Sequence, residues 1–264
     1  MEIKEFINIL GIKAGMHLMV HSSIKQIQKI IPDFWAINFI DELKKNLTNE
    51  GSLIMPTFTY NFKKSLGKSI AFNKENSESK VGMLTDIFRT RSGVIRTSSP
   101  THSFALWGNI RDSVYSDNSP VSPLGGGSVP DWMTSTENSY ILLLGTDFRA
   151  LSYGHYLESI VKVPWSNVSP WDHLQVLPIG VSNDGLQKLQ EIPGCGKPFV
   201  NFEKYLLSLN LIHRNRINSF SYYLLSVDTL YKSGLLFFKN YQDKLLCPRN
   251  TCQPCDERRR KLAL

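Results

Sequence analysis

Two residues one helical turn apart are the first candidates for chemistry in this chain. His155 and Glu158 lie three positions apart in residues 150–161, whose pattern predicts a helix, so their side chains share one face of it. An imidazole can remove a proton from an amine near neutral pH, and a neighbouring carboxylate can orient the ring and stabilise its cation. The spacing predicts a general base with an acidic partner. A surface ion pair is the structural alternative, and Asp147 is a second carboxylate for the supporting role.

A hydroxyl-rich loop is the second candidate, and it lies in residues 93–108 with the sequence GVIRTSSPTHSFALWG. Apolar runs on both sides predict strands, and we expect the polar residues between them to stay unburied. Hydroxyl, backbone and guanidinium donors suit phosphate or amide oxygens, whereas a solvated turn is the alternative. The candidate binding residues of this loop are Arg96, Ser98, Ser99, Thr101, His102 and Ser103.

Two serines at the end of the predicted first strand are further binding candidates. Ser22 and Ser23 follow the apolar residues of that strand, and ligands bind at the carboxyl ends of strands in open α/β sheets. The alternative is that they cap the helix that follows.

Four cysteines form the third group. Cys247, Cys252 and Cys255 have the spacing C-x4-C-x2-C before a basic segment, and Cys195 lies between two glycines. Four thiolates can bind a zinc ion tetrahedrally and fix the C-terminal segment to the rest of the chain. A single C-x2-C pair is half of the usual zinc pattern, so reduced, free thiols are the alternative.

Alternating helices and strands must position these groups. The predicted fold is α/β, with a central mixed sheet flanked by helices and a smaller C-terminal α/β subdomain. Helices are predicted over residues 4–10, 35–47, 82–90, 150–161, 198–209 and 222–238, and strands over residues 17–21, 52–57, 140–145, 174–181 and 211–219, besides those beside the hydroxyl-rich loop. Residues 62–80 are polar and without a period, which predicts a long loop.

The formal net charge of the 264 residues is +7. A positive field raises the local concentration of anionic reactants and lowers that of cationic ones. Residues 258–261 supply four of these charges, so a basic, solvated tail is the alternative explanation. No apolar run approaches the ~20 residues that span a bilayer, and the N-terminus lacks the order of a signal peptide. We therefore expect a cytoplasmic protein with reduced thiols.

Several segments occur in an order that resembles the aminoglycoside 3-N-acetyltransferase family, whose fold is not the GNAT fold. They are MHLMVHSS at residues 16–23, GSLIMPTFTY at 51–60, the hydroxyl-rich loop, SPLGGGSVPDWM at 122–133 and YILLLGTDFRALSYGHYLES at 140–159, followed by VPW. The chain departs from the family pattern at Ser99, where a histidine is usual, and at Tyr153 and Gly154, where Ser-Leu is common. The match weakens after about residue 170.

The resemblance implies an acyltransferase that moves an acetyl group from acetyl-CoA directly to an amine in a ternary complex. It implies that His155 is the base, supported by Glu158, and that residues 101–103 lie along the acyl-CoA arm. A single domain is expected over residues 1–264, with an acyl-CoA and catalytic core at 1–170 and an acceptor-side subdomain with a Cys-rich tail at 171–264.

The basic charge favours an anionic acceptor, so the leading hypothesis is an amino sugar on a nucleotide used in surface polysaccharide (O-antigen or capsule) biosynthesis. One alternative is an aminoglycoside acceptor, with antibiotic resistance as the outcome. Another is a nucleic-acid-binding protein with a zinc-knuckle tail. It is less favoured because the tail has no aromatic residues among its basic ones. The sequence leaves open whether the chain forms a homo-oligomer.

Overall fold

The computed structural model describes residues 1–59, 72–113, 121–170, 179–182 and 185–263. Its α-helices are α1 (Ile3–Ile9), α2 (Ile24–Ile27), α3 (Ala36–Leu47), α4 (Met83–Arg89), α5 (Val129–Ser135), α6 (Tyr153–Val161), α7 (Val200–Ser208), α8 (Val227–Asn240) and α9 (Gln253–Leu262). Its strands are β1 (His17–Ser22), β2 (Ser52–Pro56), β3 (Ile95–Arg96), β4 (Phe104–Gly108), β5 (Ser139–Leu144), β6 (Ile179–Ser182), β7 (Gly185–Lys188), β8 (Asn215–Ile217) and β9 (Phe220–Ser226).

Seven of these strands form one mixed sheet in the order β3-β4-β2-β1-β5-β9-β8. The central strand β1 is parallel to both neighbours, β2 and β5. The flanking pairs are antiparallel, and β6 and β7 form a separate two-stranded sheet. The predicted α/β fold with a mixed central sheet is confirmed.

Helices cover both faces of the sheet, so side chains alternate between two apolar layers. In β1, Leu18 packs into the layer that contains α1 and α3, whereas Met19 packs into the layer that contains α6 and α8. The residues of β5 alternate in the same way, which explains its unbroken apolar run. Helix α8 lies so close to α6 that a β-carbon on Gly234 would be 2.5 Å from Leu157 Cδ1.

The helices and strands predicted before residue 162 are confirmed, with small shifts at their ends. Two apolar residues of these helices are largely exposed: Ile9 in α1 is 43% exposed and Ile37 in α3 is 41% exposed. In α1 the buried positions are Phe6, Ile7 and the adjoining Leu10. Residues 62–71 of the predicted polar loop and residues 174–178 of a predicted strand lie outside the described residues.

Two expectations for the C-terminal part are wrong. Of the strand expected over residues 211–219, only Asn215–Ile217 forms a strand, β8, and residues 222–226 of the expected last helix belong to β9. They pair with residues 140–144 of β5, so sheet pairing outweighs their helical pattern. Helix α8 begins only at Val227, after Ser226, whose hydroxyl accepts the N–H of Thr229 at 3.5 Å. The sequence patterns do not predict helix α9.

No helix in the described part of the chain is both long and apolar enough to cross a membrane.

Candidate active site

Helix α6 carries the predicted base to the carboxyl ends of the parallel strands, where α/β sheets bind ligands. His155 follows Gly154, and a β-carbon on that glycine would lie 2.4 Å from Cε2 of Phe199. The Phe199 ring packs edge-on against the His155 imidazole, with ring centroids 4.9 Å apart. Glycine therefore lets α6 approach the aromatic ring that holds the imidazole, which accounts for the departure from the Ser-Leu pattern at this point.

The predicted pair is formed. His155 Nδ1 lies 2.6 Å from Glu158 Oε2, and the two side chains are 12% and 4% exposed. The other carboxylate oxygen, Oε1, accepts a hydrogen bond from Trp165 Nε1 at 3.0 Å and lies 3.9 Å from Arg258 Nη1. Because these groups hold the carboxylate, it presents a fixed acceptor to Nδ1 and leaves Nε2 as the ring nitrogen for a substrate.

Electrostatics keep this carboxylate ionised. Burial on its own would raise the pKa of Glu158, but the hydrogen bond and charge of His155 outweigh burial, with help from Arg258 and Trp165. The net pKa of Glu158 is therefore below its ordinary value. The nearby His21 behaves differently, because burial lowers its pKa to about 4, and its ring is neutral at pH 7.

A cleft of about 320 Å³ opens beside His155, at the small end of the range for ligand sites. Ser22 at the end of β1, Phe58 after β2, and Gly194 and Gly196 on the far side also line it. Residues on both sides of position 170 thus meet around the predicted base. A larger surface depression of about 690 Å³ lies between the N-terminus and α3, and none of the candidate groups lines it.

The serines at the end of β1 differ in their position. Ser22 lines the cleft, where it could reach a bound cofactor, so the contact between Ser22 and a cofactor stays a prediction. Ser23 is the N-cap residue before α2, and its hydroxyl makes no capping hydrogen bond.

The hydroxyl-rich loop is buried, contrary to expectation. Ser99, Thr101 and Ser103 are each 0% exposed. The Ser99 hydroxyl accepts the backbone N–H of His102 at 3.0 Å, and that of Ser103 donates to the carbonyl of Thr57 at 3.0 Å. Polar residues can be buried here because the loop satisfies its groups internally and against the chain after β2. As placed, these three hydroxyls support the loop rather than face the cleft. Ser98 is half-buried.

Arg96 is another correction. The sequence makes it a candidate for a phosphate contact or a solvated strand end, but it is 5% exposed. Its guanidinium donates to the Thr57 carbonyl at 2.6 Å, the Ser77 carbonyl at 2.5 Å and the Ser103 hydroxyl at 3.0 Å. These bonds tie three chain segments together, so the geometry favours a structural role for Arg96.

His102 also lies behind the cleft wall. It is 4% exposed, and its ring packs edge-on against Phe58 with centroids 4.6 Å apart. Since Phe58 lines the cleft, His102 supports that wall. A direct contact with an acyl-CoA arm stays a prediction.

Asp147, the second carboxylate considered as the partner of the base, contacts Arg149 rather than His155. Asp147 accepts hydrogen bonds from Arg149 at 2.7 to 3.0 Å, including one from its backbone N–H. Glu158 rather than Asp147 contacts the imidazole.

The four cysteines come together although they are far apart in the chain. The Sγ atoms of Cys195, Cys247, Cys252 and Cys255, which we call the cysteine cluster, lie within 4.8 Å of one another. None of these four forms a disulfide. Cys195 lies between the two glycines that line the cleft, and Cys255 lies in the first turn of α9. The cluster therefore joins α9 to the cleft wall.

The basic tail is a third correction. Arg258 is 2% exposed rather than solvated. On the same helix, Arg259 pairs with Asp256 at 3.0 Å and Arg260 with Glu257 at 2.6 Å. Because Arg258 contacts residues outside α9 and the other two guanidinium groups pair with carboxylates of the helix, the tail is not the free basic surface that its composition indicates.

The model of one family, described as aminoglycoside 3-N-acetyltransferase, matches residues 19–238. The chain belongs to that family. Its members are acyltransferases, so the predicted resemblance is confirmed. A curated relative, the SPbeta prophage-derived aminoglycoside N(3')-acetyltransferase-like protein YokD of Bacillus subtilis (strain 168), is 27% identical over 184 residues. That match spans 63% of this chain and 66% of the relative, just under two thirds of its length.

Solved structures of the family share the fold. The apoenzyme of aminoglycoside acetyltransferase AAC(3)-IVa aligns with a TM-score of 0.80 at 22% identity, over 98% of this chain and 96% of that one. A mutant of AAC(3)-IVa has also been crystallised in complexes with a gentamicin and with apramycin. AAC-IIIb, solved with CoASH, aligns with a TM-score of 0.67 at 15% identity, over 90% and 94% of the two chains. The comparisons offer no support for a nucleotide-linked acceptor.

Sequence reasoning misses three parts of the site. Arg258 is counted with the solvated tail, although its spacing of three from Cys255 puts both residues on one helix face. Trp165 stands out only as part of the VPW segment. The glycines on either side of Cys195 give no signal by themselves, because only the folded chain brings them to the cleft.

Proposed function

We propose that this chain transfers the acetyl group of acetyl-CoA to an amine of an aminoglycoside. The observation that carries the proposal is the His155–Glu158 pair, buried on one turn of α6 and opening onto a cleft at the strand ends. Membership in the family supports the acyl donor and the class of acceptor.

The chemistry needs one base and no covalent enzyme intermediate. The neutral amine nitrogen of the acceptor attacks the thioester carbonyl carbon, and Nε2 of His155 takes up the proton that this nitrogen loses. The carbon–sulfur bond then breaks, the acetyl group stays on nitrogen, and the coenzyme A thiolate leaves and takes up a proton. The Glu158 carboxylate stabilises the imidazolium and keeps the ring turned toward the cleft.

The aminoglycoside replaces the nucleotide-linked amino sugar as the favoured acceptor. The preference for an anionic acceptor uses the net charge of +7, part of which is assigned to a free basic tail. Arg259 and Arg260 pair with carboxylates of their own helix, and Arg258 is buried against Glu158, so these charges do not form a free basic patch. The same pairing weakens the case for a nucleic-acid-binding tail, which depends on unpaired cations.

The test is a turnover assay that detects the free thiol of coenzyme A. Gentamicin- and kanamycin-type acceptors are compared with nucleotide-linked amino sugars at equal concentration. We expect turnover on the aminoglycosides, and His155→Ala should lower kcat by about a hundredfold or more, as for loss of a general base. His213→Ala is the matched control, because His213 is exposed. Faster turnover on nucleotide-linked acceptors would reverse the choice of acceptor, and full activity of His155→Ala would refute the mechanism.

We also propose that the cysteine cluster holds a structural zinc ion. Four thiolates at the usual Zn–S distance of about 2.3 Å have sulfur atoms about 3.8 Å apart, and Cys195 Sγ lies 3.8 Å from Cys247 Sγ. Bound zinc would supply a fixed tetrahedral link between α9 and the loop of Cys195. Metal analysis of the purified protein should give one zinc ion per chain, and Cys252→Ser should lose it. A metal-free, fully folded protein would refute the site.

A further inference from the structure

Helix α9 has very little apolar surface with which to dock. Of its side chains, those of Cys255 and Arg258 are the buried ones. They are three residues apart, so they lie on the same face of the helix. A short helix gains most of its stability from packing of one face. The docking of α9 therefore depends on the cysteine cluster at Cys255 and on the guanidinium at Arg258.

The guanidinium of Arg258 lies directly behind the catalytic pair. Its Nη2 donates to the carbonyl of Ile192 at 2.5 Å, and its Nη1 lies 3.9 Å from Oε1 of Glu158. A buried cation is unfavourable unless an opposite charge compensates it. Glu158 provides that charge, so the carboxylate that orients His155 is also the counter-charge of Arg258.

The cleft wall is shaped around the same guanidinium. A β-carbon on Gly194 would lie 2.4 Å from Nη1 of Arg258. The next residue, Cys195, belongs to the cysteine cluster, and Gly194 lines the cleft. The cluster thus holds both the helix that carries Arg258 and the loop that closes over it.

We propose that Arg258 is a positioning residue for the His155–Glu158 pair and that the cysteine cluster sets its place. The inference rests on the acetyl transfer proposed above. Arg258 does not touch the reacting atoms in this arrangement. Arg258 affects the reaction by holding Glu158, and loss of the metal from the cysteine cluster would affect it by displacing Arg258.

The first experiment compares Arg258→Met with Arg260→Met, a control on the same helix whose side chain is 69% exposed. Arg258→Met should lower kcat about ten- to a hundredfold, as loss of a residue that orients a catalytic ligand does, with KM for acetyl-CoA changed less than about twofold. Arg258→Lys should recover part of the loss. Arg260→Met should leave kcat unchanged. Equal activity of Arg258→Met and Arg260→Met would overturn the proposal.

The pH profile separates positioning from a loss of folding. The charged and titratable groups around Glu158 are His155 on α6, Arg258 on α9 and Glu191, which shares a small cavity with them. Removal of the Arg258 cation raises the pKa of Glu158, so the acid limb of the kcat/KM profile should move to higher pH. A variant that is merely less stable would keep the wild-type limb.

The second experiment joins Arg258 to the cluster. Cys252→Ser should lower kcat as much as Arg258→Met does, and the double variant should be no slower than either single one, because both changes break the same link. Arg258→Met should retain its zinc. Fully multiplicative losses in the double variant would overturn the proposed route from the cluster through Arg258.

A non-catalytic readout keeps this proposal distinct from the proposed function. If the wild-type chain transfers no acetyl group, the proposed function fails, and hydrogen exchange then decides on Arg258. Removal of zinc by a chelator should speed exchange in α9 and in residues 192–196 of the wild-type chain, and Arg258→Met should do the same with zinc bound. Unchanged exchange in both cases would refute the link.

Discussion

Replacement of Glu158 by glutamine tests the catalytic pair most directly. The amide has nearly the same shape as the carboxylate but no charge, and its nitrogen is a hydrogen-bond donor where the carboxylate has an acceptor oxygen. It can therefore direct an N–H toward His155 Nδ1, where the native carboxylate presents an acceptor at 2.6 Å. The imidazole loses the partner that fixes its tautomer and the charge that stabilises its cation.

The magnitude follows from the separation of the charges. Two unit charges about 4 Å apart interact by about 4 kcal/mol at an effective dielectric constant of about 20. Each 1.36 kcal/mol of barrier is tenfold in rate, so complete loss of this term corresponds to about a thousandfold. Arg258, 3.9 Å from the same carboxylate, already offsets part of the charge. We therefore expect Glu158→Gln to lower kcat about 100- to 1000-fold.

The assay is release of the coenzyme A thiol at saturating acetyl-CoA and acceptor, with the melting temperature measured in parallel. Because Glu158→Gln leaves Arg258 buried without its counter-charge, it also destabilises the fold, and assays belong well below the melting temperature. Asp147→Asn is the matched control, since Asp147 pairs with Arg149 instead of the imidazole. A folded Glu158→Gln variant within threefold of the wild-type kcat, or a larger loss for Asp147→Asn, would refute the assignment.

Three further substitutions test how the site is supported. Burial raises the pKa of Glu191 from 4.5 to about 7, so its stabilising contribution is full below pH 4.5 and is lost as pH rises through 7. In urea titrations over that window, the wild type should lose about 3 kcal/mol of unfolding free energy relative to Glu191→Gln. Parallel curves of unfolding free energy against pH for the two proteins would contradict this. Gly194→Ala should destabilise the fold by about 1–3 kcal/mol and slow turnover, because the added β-carbon would clash with Arg258. The control Gly126→Ala, where a β-carbon points into open space, should do neither. Equal melting temperatures for the two variants would be inconsistent with this packing. Arg96→Met should lower the unfolding free energy by roughly 2–4 kcal/mol, since buried carbonyls lose a charged donor, and KM for acetyl-CoA should stay near the wild-type value. A large rise in KM with unchanged stability would instead support a contact between Arg96 and a phosphate of coenzyme A.

The first part of the fold could be predicted from the sequence because its patterns are local. Strands β1, β2 and β5 are apolar runs of ordinary length, and α3 has an apolar stripe ending near Leu47. His155 and Glu158 sit within one turn, so their contact needs no knowledge of the rest of the fold. That is why the sequence predicts the contact between His155 and Glu158 correctly, whereas the catalytic role of the pair stays a prediction.

The remainder depended on contacts between distant segments. Tyr222 and Tyr223 fit a helix as well as a strand, and only pairing with β5 decides between them. The loop hydroxyls of Ser99 and Ser103 resemble ligand donors until the chain after β2 takes them up. Arg258 resembles a solvated charge until α9 docks. In each case the missing information is the partner, which the local sequence does not contain.

The pairing of β5 with β9 ties the catalytic helix to residues near the other end of the chain. A fragment that stopped at residue 170 would leave one edge of β5 with open backbone donors and acceptors, a template for self-association. It would also lack α8, which packs on α6 at Leu157. Expression of the first half alone should therefore yield insoluble material. Co-expression of both halves supplies β9, which can pair with the open edge of β5.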